Sequence, residues 1–370
     1  MRCMAGAPRM PASFRIQGRA IGPGHPAYIV AELSGNHNQS YALAARTVEA
    51  ACRAGVDAIK LQTYTPDTLT IDCDKKWFRV GGTNRAWRGQ TLYELYGKAY
   101  TPWAWQPKLQ RIAARHGVHL FSSAFDESAV DFLEGLRVPA YKVASFEIVD
   151  LELLRRIGRT RKPVIISRGM ASLAEIRQAI RTLTAAGARD IAVLHCISSY
   201  PARPDEMNLA TIPALQKTLG RVIGLSDHTL GTEVAIAGVA LGASIVEKHV
   251  TLSRRAGGVD AAFSLEPAEL RQLVQAVRVA ESAVGAPQFE SGGRQLANRV
   301  FRRSLFVVAD VARGERFTRD NVRVIRPGYG LPPRLLGTVL GRRARRAISR
   351  GTPLGQEHLA GAAPFRSSKR

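Results

Sequence analysis

The sequence predicts an α/β fold: a (β/α)8 TIM barrel followed by a small C-terminal β-rich domain. Three observations predict it. Eight short apolar runs alternate with stretches of helical period, the pattern of a parallel sheet with helices on its outer face. Most runs end in a polar cluster, and barrel enzymes gather their chemistry at the C-terminal ends of the strands. After residue 284 the pattern changes to shorter runs separated by turn signals such as ARGE and RGTP. The 370 residues suit a barrel of roughly 250 residues plus a second domain. Eight regular units favour closure over an open doubly wound sheet. No GxGxxG fingerprint follows the first strand, which argues against dinucleotide binding.

The elements follow in order. Residues 1–27 are polar, Pro- and Gly-rich and without period, a lead-in or a small β-element. YIVAEL (28–33) is the first strand and ends on Glu32. After the loop SGNHNQS, residues 41–54 place Leu43, Val48 and Ala51 on one helical face, and Gly55 ends the helix. DAIKLQT (57–63) is the second strand. Residues 64–103 form a long insertion rich in Gly, Trp and Tyr, and loops of that length in a compact domain serve as lids or binding loops. A helix over 103–115, in which Trp103 and Trp105 read as packing groups, leads to VHLFSSAF (118–125), the third strand. A helix over 128–136 leads to AYKVAS (140–145), and one over 150–157 to PVIISRG (163–169). The helix over 172–186 opens on Ser172 with Glu175 three residues on, a capping box. IAVLHCIS (191–198) is the sixth strand, followed by a Pro-rich loop and a helix over 208–219. RVIGLSDH (221–228) and SIVEKHV (244–250) are the last two, with a Gly- and Ala-rich helical stretch between them. A helix over 267–284 closes the series. The expected division is a lead-in at 1–27, a barrel at 28–284, a linker at 285–299 and a β-rich domain at 300–370. The last contains the runs SLFVVAD, VRVIRPG and ARRAIS.

Composition narrows the function. A net charge of +23 fits either nucleic-acid or membrane-surface binding, or steering of an anionic ligand. The arginines are spread along the chain apart from GRRARRAISR (341–350), and no nucleic-acid module signature is present. Steering of a phosphorylated, carboxylated ligand is therefore expected, and nucleic-acid binding as the main function is not. No apolar run reaches the roughly 18 residues of a membrane span, and the N-terminus lacks the apolar core of a secretory signal. Cys3, Cys52, Cys73 and Cys196 show neither metal-ligand spacing nor a disulfide framework, as expected in a reducing cytoplasm.

The strand ends carry the chemistry. His228 and His249 stand 21 residues apart, one strand–helix–strand step, which brings both to one rim where they suit a divalent cation. The plainer reading is two unrelated polar strand ends. Lys60, Lys142 and Lys248 each interrupt an apolar run, and a lysine buried in a strand is costly unless it meets an anion. In order, the strand ends offer Glu32; Lys60 and Gln62; Ser122 and Ser123; Lys142, Ser145 and Glu147; Ser167; His195 and Ser198; Ser226, Asp227 and His228; Glu247, Lys248 and His249. Alternation puts Lys60 with Gln62, and Glu247 with His249, on shared faces. Lysines and serines suit a phosphate plus a carboxylate. Two histidines with carboxylates nearby suit a cation that polarises a carbonyl. Each serine taken singly fits strand-end turn chemistry equally well. His195, mid-strand, reads as a packed residue behind the site.

The motifs AELSGNHNQS, DAIKLQTYTPDTLT, YKVASFE, HCISSYP, GLSDHTLG, EKHVT and SLEP, in that order, resemble the sialic acid synthase family over nearly the whole chain. NRVFRRSLFVVAD and IRPGYGLPP resemble its C-terminal antifreeze-like (SAF) domain. Within the family, KLQTYTPDTLT, LYELY with the following TPWAW, and RPGYGLPP resemble the pseudaminic acid branch more than the N-acetylneuraminate branch. The resemblance implies condensation of phosphoenolpyruvate with an amino-sugar aldehyde, 2,4-diacetamido-2,4,6-trideoxy-L-altrose in that branch, with release of phosphate. It implies a divalent metal ion, Mn2+ or Mg2+, and a domain-exchanged homodimer. By resemblance His228 and His249 hold the metal. Lys142, Ser145, Ser167, Ser198 and Ser226 bind phosphate, and Lys60, Gln62 and Ser123 the carboxylate side. Glu32, Glu147 and Asp260 address the sugar or handle protons, and Tyr200 lines the pocket. Arg326 reaches from the SAF domain into a partner's barrel. The sequence departs from the family at Gln39, at Arg168 beside Ser167, at Ile197 and at Val259. The rivals within the family are legionaminic acid and N-acetylneuraminate synthases. From other classes, a polyanion binder on a synthase scaffold and a metal-dependent pyruvate aldolase stay open.

Overall fold

The computed structural model describes residues 13–81, 87–290 and 292–361. The chain forms two compact units, Met1–Gly285 and Ala286–Arg370.

The first unit opens with an antiparallel hairpin, β1 (Phe14–Ile16) and β2 (Arg19–Ile21). Ile16 and Ile21 are fully buried in the same apolar cluster as Tyr28 and Val30. Eight strands follow: β3 (Tyr28–Glu32), β4 (Ala58–Thr63), β5 (His119–Ala124), β6 (Tyr141–Val143), β7 (Val164–Ser167), β8 (Ile191–His195), β9 (Val222–Asp227) and β10 (Ile245–His249). They pair in parallel and close, with β10 beside β3, so each expected apolar run holds one barrel strand. Both faces of these strands are buried, as a parallel barrel inside a ring of helices requires.

The helices are α1 (Tyr41–Ala54), α2 (Pro66–Leu69), α3 (Leu92–Ala99), α4 (Gln106–Arg115), α5 (Glu127–Gly135), α6 (Leu151–Arg159), α7 (Leu173–Ala186), α8 (Thr211–Leu219), α9 (Glu233–Ala240) and α10 (Pro267–Val284). Local chemistry explains their ends. Ser40 Oγ accepts from the Leu43 amide at the start of α1, and Gly55, with φ 91°, turns the chain left-handed at its end. Ser172 and Glu175 form the expected capping box on α7. The helix expected over 103–115 begins as one 3-10 turn, Trp103–Trp105, and becomes α-helical where Pro107 sits in its first turn. Read from sequence as an irregular loop, the insertion 64–103 holds α2 and α3. Thr91 and Glu94 cap α3 reciprocally, but at eight residues with Gly97 inside it the helix is too short to leave a clear period.

In the second unit β11 (Ser304–Val307) pairs antiparallel with β12 (Val322–Ile325) over a core of Leu305, Val307, Phe317, Val322, Leu354 and Leu359. The ARRAIS run forms no regular strand; Ala344 and Ile348 make isolated bridges to Leu359 and Val311. No helix among the described residues is long and apolar enough to cross a membrane.

Candidate active site

Strand alternation decides which rim side chains converge. Lys60 and Gln62 of β4, Lys142 of β6, Ser167 of β7, Ser226 of β9, and Glu247 and His249 of β10 all line one cavity of about 450 Å³. His228, just past β9, joins them, with Ser145, Glu147, Tyr200 and Asp260 from the loops beyond the strands. Glu32, Ser123 and Ser198 touch these groups from behind.

One end of the cavity is built for an anion. Lys60 and Lys142 are 3% and 2% exposed. Glu247 lies between them, its Oε1 3.5 Å from Lys60 Nζ and 3.8 Å from Lys142 Nζ, and accepts from Ser226 Oγ at 3.0 Å. Lys60 also pairs with Glu32 at 2.8 Å and donates to Ser123 at 3.3 Å. Burial disfavours charge on Lys60, but the Glu247 and Glu32 carboxylates outweigh it and raise its pKa. At Lys142 burial wins and the pKa falls. Burial likewise opposes charge on Glu247, yet Lys142 and Lys60 hold it below the usual carboxylate range. Glu32 is pushed up to about 7 by burial in spite of Lys60. Two buried lysines thus share the Glu247 carboxylate, and Lys60 meets that of Glu32 as well. Beside them Ser145 Oγ lies 3.0 Å from Ser198 Oγ, and Ser167 Oγ is buried without a hydrogen-bond partner. Leaving such a hydroxyl unpaired costs about 1–3 kcal/mol, which a ligand oxygen would relieve.

The two imidazoles fit a cation. His228 and His249 have ring centroids 5.3 Å apart, edge to face. His228 Nδ1 lies 2.9 Å from the Ile197 carbonyl, which can only accept, so Nε2 carries the lone pair, 3.5 Å from Ser226 Oγ. Burial lowers the His228 pKa to about 4 and holds His249 well below its ordinary value, so both rings are neutral. His249 Nδ1 is buried without a hydrogen bond, 3.6 Å from Asp260 Oδ2. Among the described residues no group of three or more His, Cys, Asp or Glu is placed to hold a metal ion. Two neutral imidazoles beside carboxylates suit an open site that leaves positions for solvent and substrate.

Two further carboxyls at the cavity have raised pKa values. Burial raises Glu147 to about 7, and its Oε2 is buried without a partner. Burial also raises Asp260 to about 6, against the opposing hydroxyl of Ser34, which donates to it.

The opposite wall is apolar and comes from the insertion. Leu69, Val80, Leu92, Leu95 and Tyr96 line the cavity there. Trp87 joins them, its indole N–H donating to the Val259 carbonyl at 2.8 Å and its ring 5.5 Å from Tyr200. These wall residues, Ser34 and the central position of Glu247 carry no role in the sequence reading. Glu247 was recoverable, since it shares the inward face of its strand with His249. Lys248, the third strand lysine, meets its carboxylate away from the cavity: it points outward and is fully buried against Asp227 at 2.7 Å and the Thr229 carbonyl at 2.6 Å. His195 is buried behind the rim, as expected. Arg326 lies in the second unit, exposed just after β12.

Residues 47–288 match the NeuB family, and residues 302–360 match the SAF domain. The chain belongs to the NeuB family. Among NeuB relatives, a pseudaminic acid synthase of Helicobacter pylori is 39% identical over 90% of this chain and 98% of its own length. An N,N'-diacetyllegionaminic acid synthase of Legionella pneumophila is 33% identical over 90% of this chain and 94% of its own. The crystal structure of an N-acetylneuraminic acid synthetase from Leptospira borgpetersenii superposes with a TM-score of 0.70 at 29% identity, covering 78% of this chain and 95% of that one.

Proposed function

We propose that this NeuB-family chain condenses phosphoenolpyruvate with 2,4-diacetamido-2,4,6-trideoxy-L-altrose and water, giving pseudaminate and phosphate. The observation that carries the reading is the buried lysine pair beside the unpartnered Ser167 hydroxyl, in a chain more similar to a pseudaminic acid synthase than to a legionaminic one. Lys142 with Ser145, Ser167, Ser198 and Ser226 takes the phosphate of the donor, and Lys60, Gln62 and Ser123 take its carboxylate. Held at both ends, the donor presents carbon 3 to the sugar aldehyde. A carbon–carbon bond forms there, water adds at carbon 2, and the C2–O bond breaks to release phosphate. Glu147 takes the proton of the attacking water, Asp260 orients the sugar, Glu32 holds Lys60 from behind, and Tyr200 closes the pocket beside His228. The chemistry that a divalent ion, Mn2+ or Mg2+, supplies when bound by His228 and His249 is polarisation of the aldehyde oxygen.

The apolar wall favours the deoxygenated, N-acetylated sugar. A hydroxylated tail against Leu92, Leu95 and Val80 would bury polar groups without partners. The enzyme works in the cytoplasm as a domain-exchanged homodimer in which Arg326 serves the partner's barrel. Arg326 has no ion pair or side-chain hydrogen bond among the described residues, and Phe146 and Met170, 61% and 62% exposed, leave apolar surface for a partner.

Phosphate release with phosphoenolpyruvate, Mn2+ and a panel of the three branch sugars tests this. The trideoxy-L-altrose should win by about 100-fold in kcat/KM. Turnover of N-acetylmannosamine alone would overturn the choice of sugar.

The raised carboxyl gives a pH signature. Glu147 near 7 is mostly protonated at pH 6 and mostly ionised at pH 8, so kcat should climb through pH 7. Glu147→Gln should lower kcat about 100-fold and flatten that limb. A kcat within about threefold of the wild type in the variant would remove Glu147 from the role of base.

A further inference from the structure

Behind the phosphate end of the cavity runs a chain of contacts that the reaction above does not use. Ser167 faces the cavity, so the next residue, Arg168, turns away from it. His195 does the same on the neighbouring strand, because Cys196 faces the cavity. The two outward side chains meet: Arg168 Nε donates to His195 Nδ1 at 2.9 Å. A guanidinium never accepts, so His195 must carry its proton on Nε2. That nitrogen donates to the Met207 carbonyl at 2.5 Å. His195 is fully buried and Met207 is 1% exposed, so neither has water as an alternative partner.

Met207 lies near the end of the loop that joins β8 to α8. The same loop carries Ser198 and Tyr200, whose ring centroid lies 4.4 Å from that of His228. The other end of the chain of contacts also touches the phosphate serines. Gly169 has φ +46°, and a Cβ there would lie 2.4 Å from Ser145 Cβ and 2.9 Å from Ser198 Oγ. Its amide donates to Cys196 Sγ at 3.2 Å. The turn at Arg168 and Gly169 is therefore the seat against which Ser145 and Ser198 rest. Arg168 is half-buried and has no carboxylate within ion-pair distance among the described residues. A cation held at that cost, with its Nε committed to one imidazole, is placed for what the imidazole holds.

We propose that Arg168 is a positioning residue for the phosphate of the donor. It holds the His195 ring in the orientation that ties down the β8–α8 loop through the Met207 carbonyl, and so keeps Ser198 facing Ser145. The inference rests on the reading of phosphoenolpyruvate as donor.

The test is a double-mutant cycle of Arg168→Met and His195→Phe in the full-length protein, with Arg168→Lys beside it. Steady-state kinetics in both substrates, calorimetric titration with phosphoenolpyruvate alone and thermal melting are read for each variant. Arg168→Met should raise KM and Kd for phosphoenolpyruvate about 10-fold, with kcat and the sugar KM within about twofold. The double variant should be no worse than the weaker single one, because both cut the same chain of contacts. Arg168→Lys keeps the charge but loses the planar Nε donor, and should resemble Arg168→Met. Wild-type affinity in Arg168→Lys would overturn the positioning role in favour of charge alone. Additive losses, or a fall in kcat and both KM values that tracks the melting temperature, would overturn it in favour of general structural support. A wild-type protein that does not bind phosphoenolpyruvate would sink the donor reading itself; wild-type binding left unchanged in Arg168→Met sinks only this inference.

Discussion

Lys142→Met should lower kcat/KM for phosphoenolpyruvate by about 1,000-fold, roughly 4 kcal/mol of lost transition-state stabilisation. The size follows from the environment. Lys142 is 2% exposed and its ammonium lies 3.8 Å from the carboxylate it shares with Lys60. Water cannot replace it, and a charge-assisted hydrogen bond to a dianion in such a pocket is worth more than one at the surface. Stability should move the other way or not at all. Burial lowers the Lys142 pKa, so the free protein bears a net cost for keeping it charged. Methionine fills the space of the stem without that cost, and Glu247 keeps Lys60 and Ser226 as partners. A melting temperature at or above that of the wild type, together with collapsed turnover, marks a residue kept for binding an anion. Activity within about threefold of the wild type would remove Lys142 from the donor site.

His228→Ala should lower metal-dependent kcat by about 1,000-fold and abolish stoichiometric Mn2+ binding in a calorimetric titration. The ring is held by one nitrogen on the Ile197 carbonyl, and its other nitrogen carries a lone pair on the cavity side, 3.5 Å from Ser226 Oγ. No neighbouring side chain can reproduce that lone pair at the same place. The melting temperature should change little, since a small polar cavity at a solvent-reachable rim admits water to the freed carbonyl. Full metal-dependent turnover in the variant would refute the ligand role.

The sequence reveals the barrel because each strand declares itself locally, by an apolar run bounded by turn residues. The lysines are legible for the same reason: within an apolar run a cation is conspicuous. What local pattern does not give is the pairing of charges across strands. Lys60, Lys142 and Lys248 look alike along the chain, yet the first two point inward and the third outward onto Asp227. The parity of β10 already separates them, since His249 and Glu247 share the inward face and Lys248 cannot. The apolar wall was hidden for another reason. Leu69, Leu92 and Leu95 sit on short helices whose period is too brief to read, and they meet the cavity only after the insertion folds back over it. Arg168 stood out as an unusual cation beside Ser167, but its partner, His195, is 27 residues away on the next strand.

The bridging oxygen of the donor tests the account most directly. Phosphoenolpyruvate labelled with 18O between carbon 2 and phosphorus, turned over with the trideoxy sugar, should deliver the label to the released phosphate, because the pocket grips the phosphate while water attacks carbon 2. Label retained in the sugar acid product, or condensation that proceeds equally well from pyruvate, would contradict it.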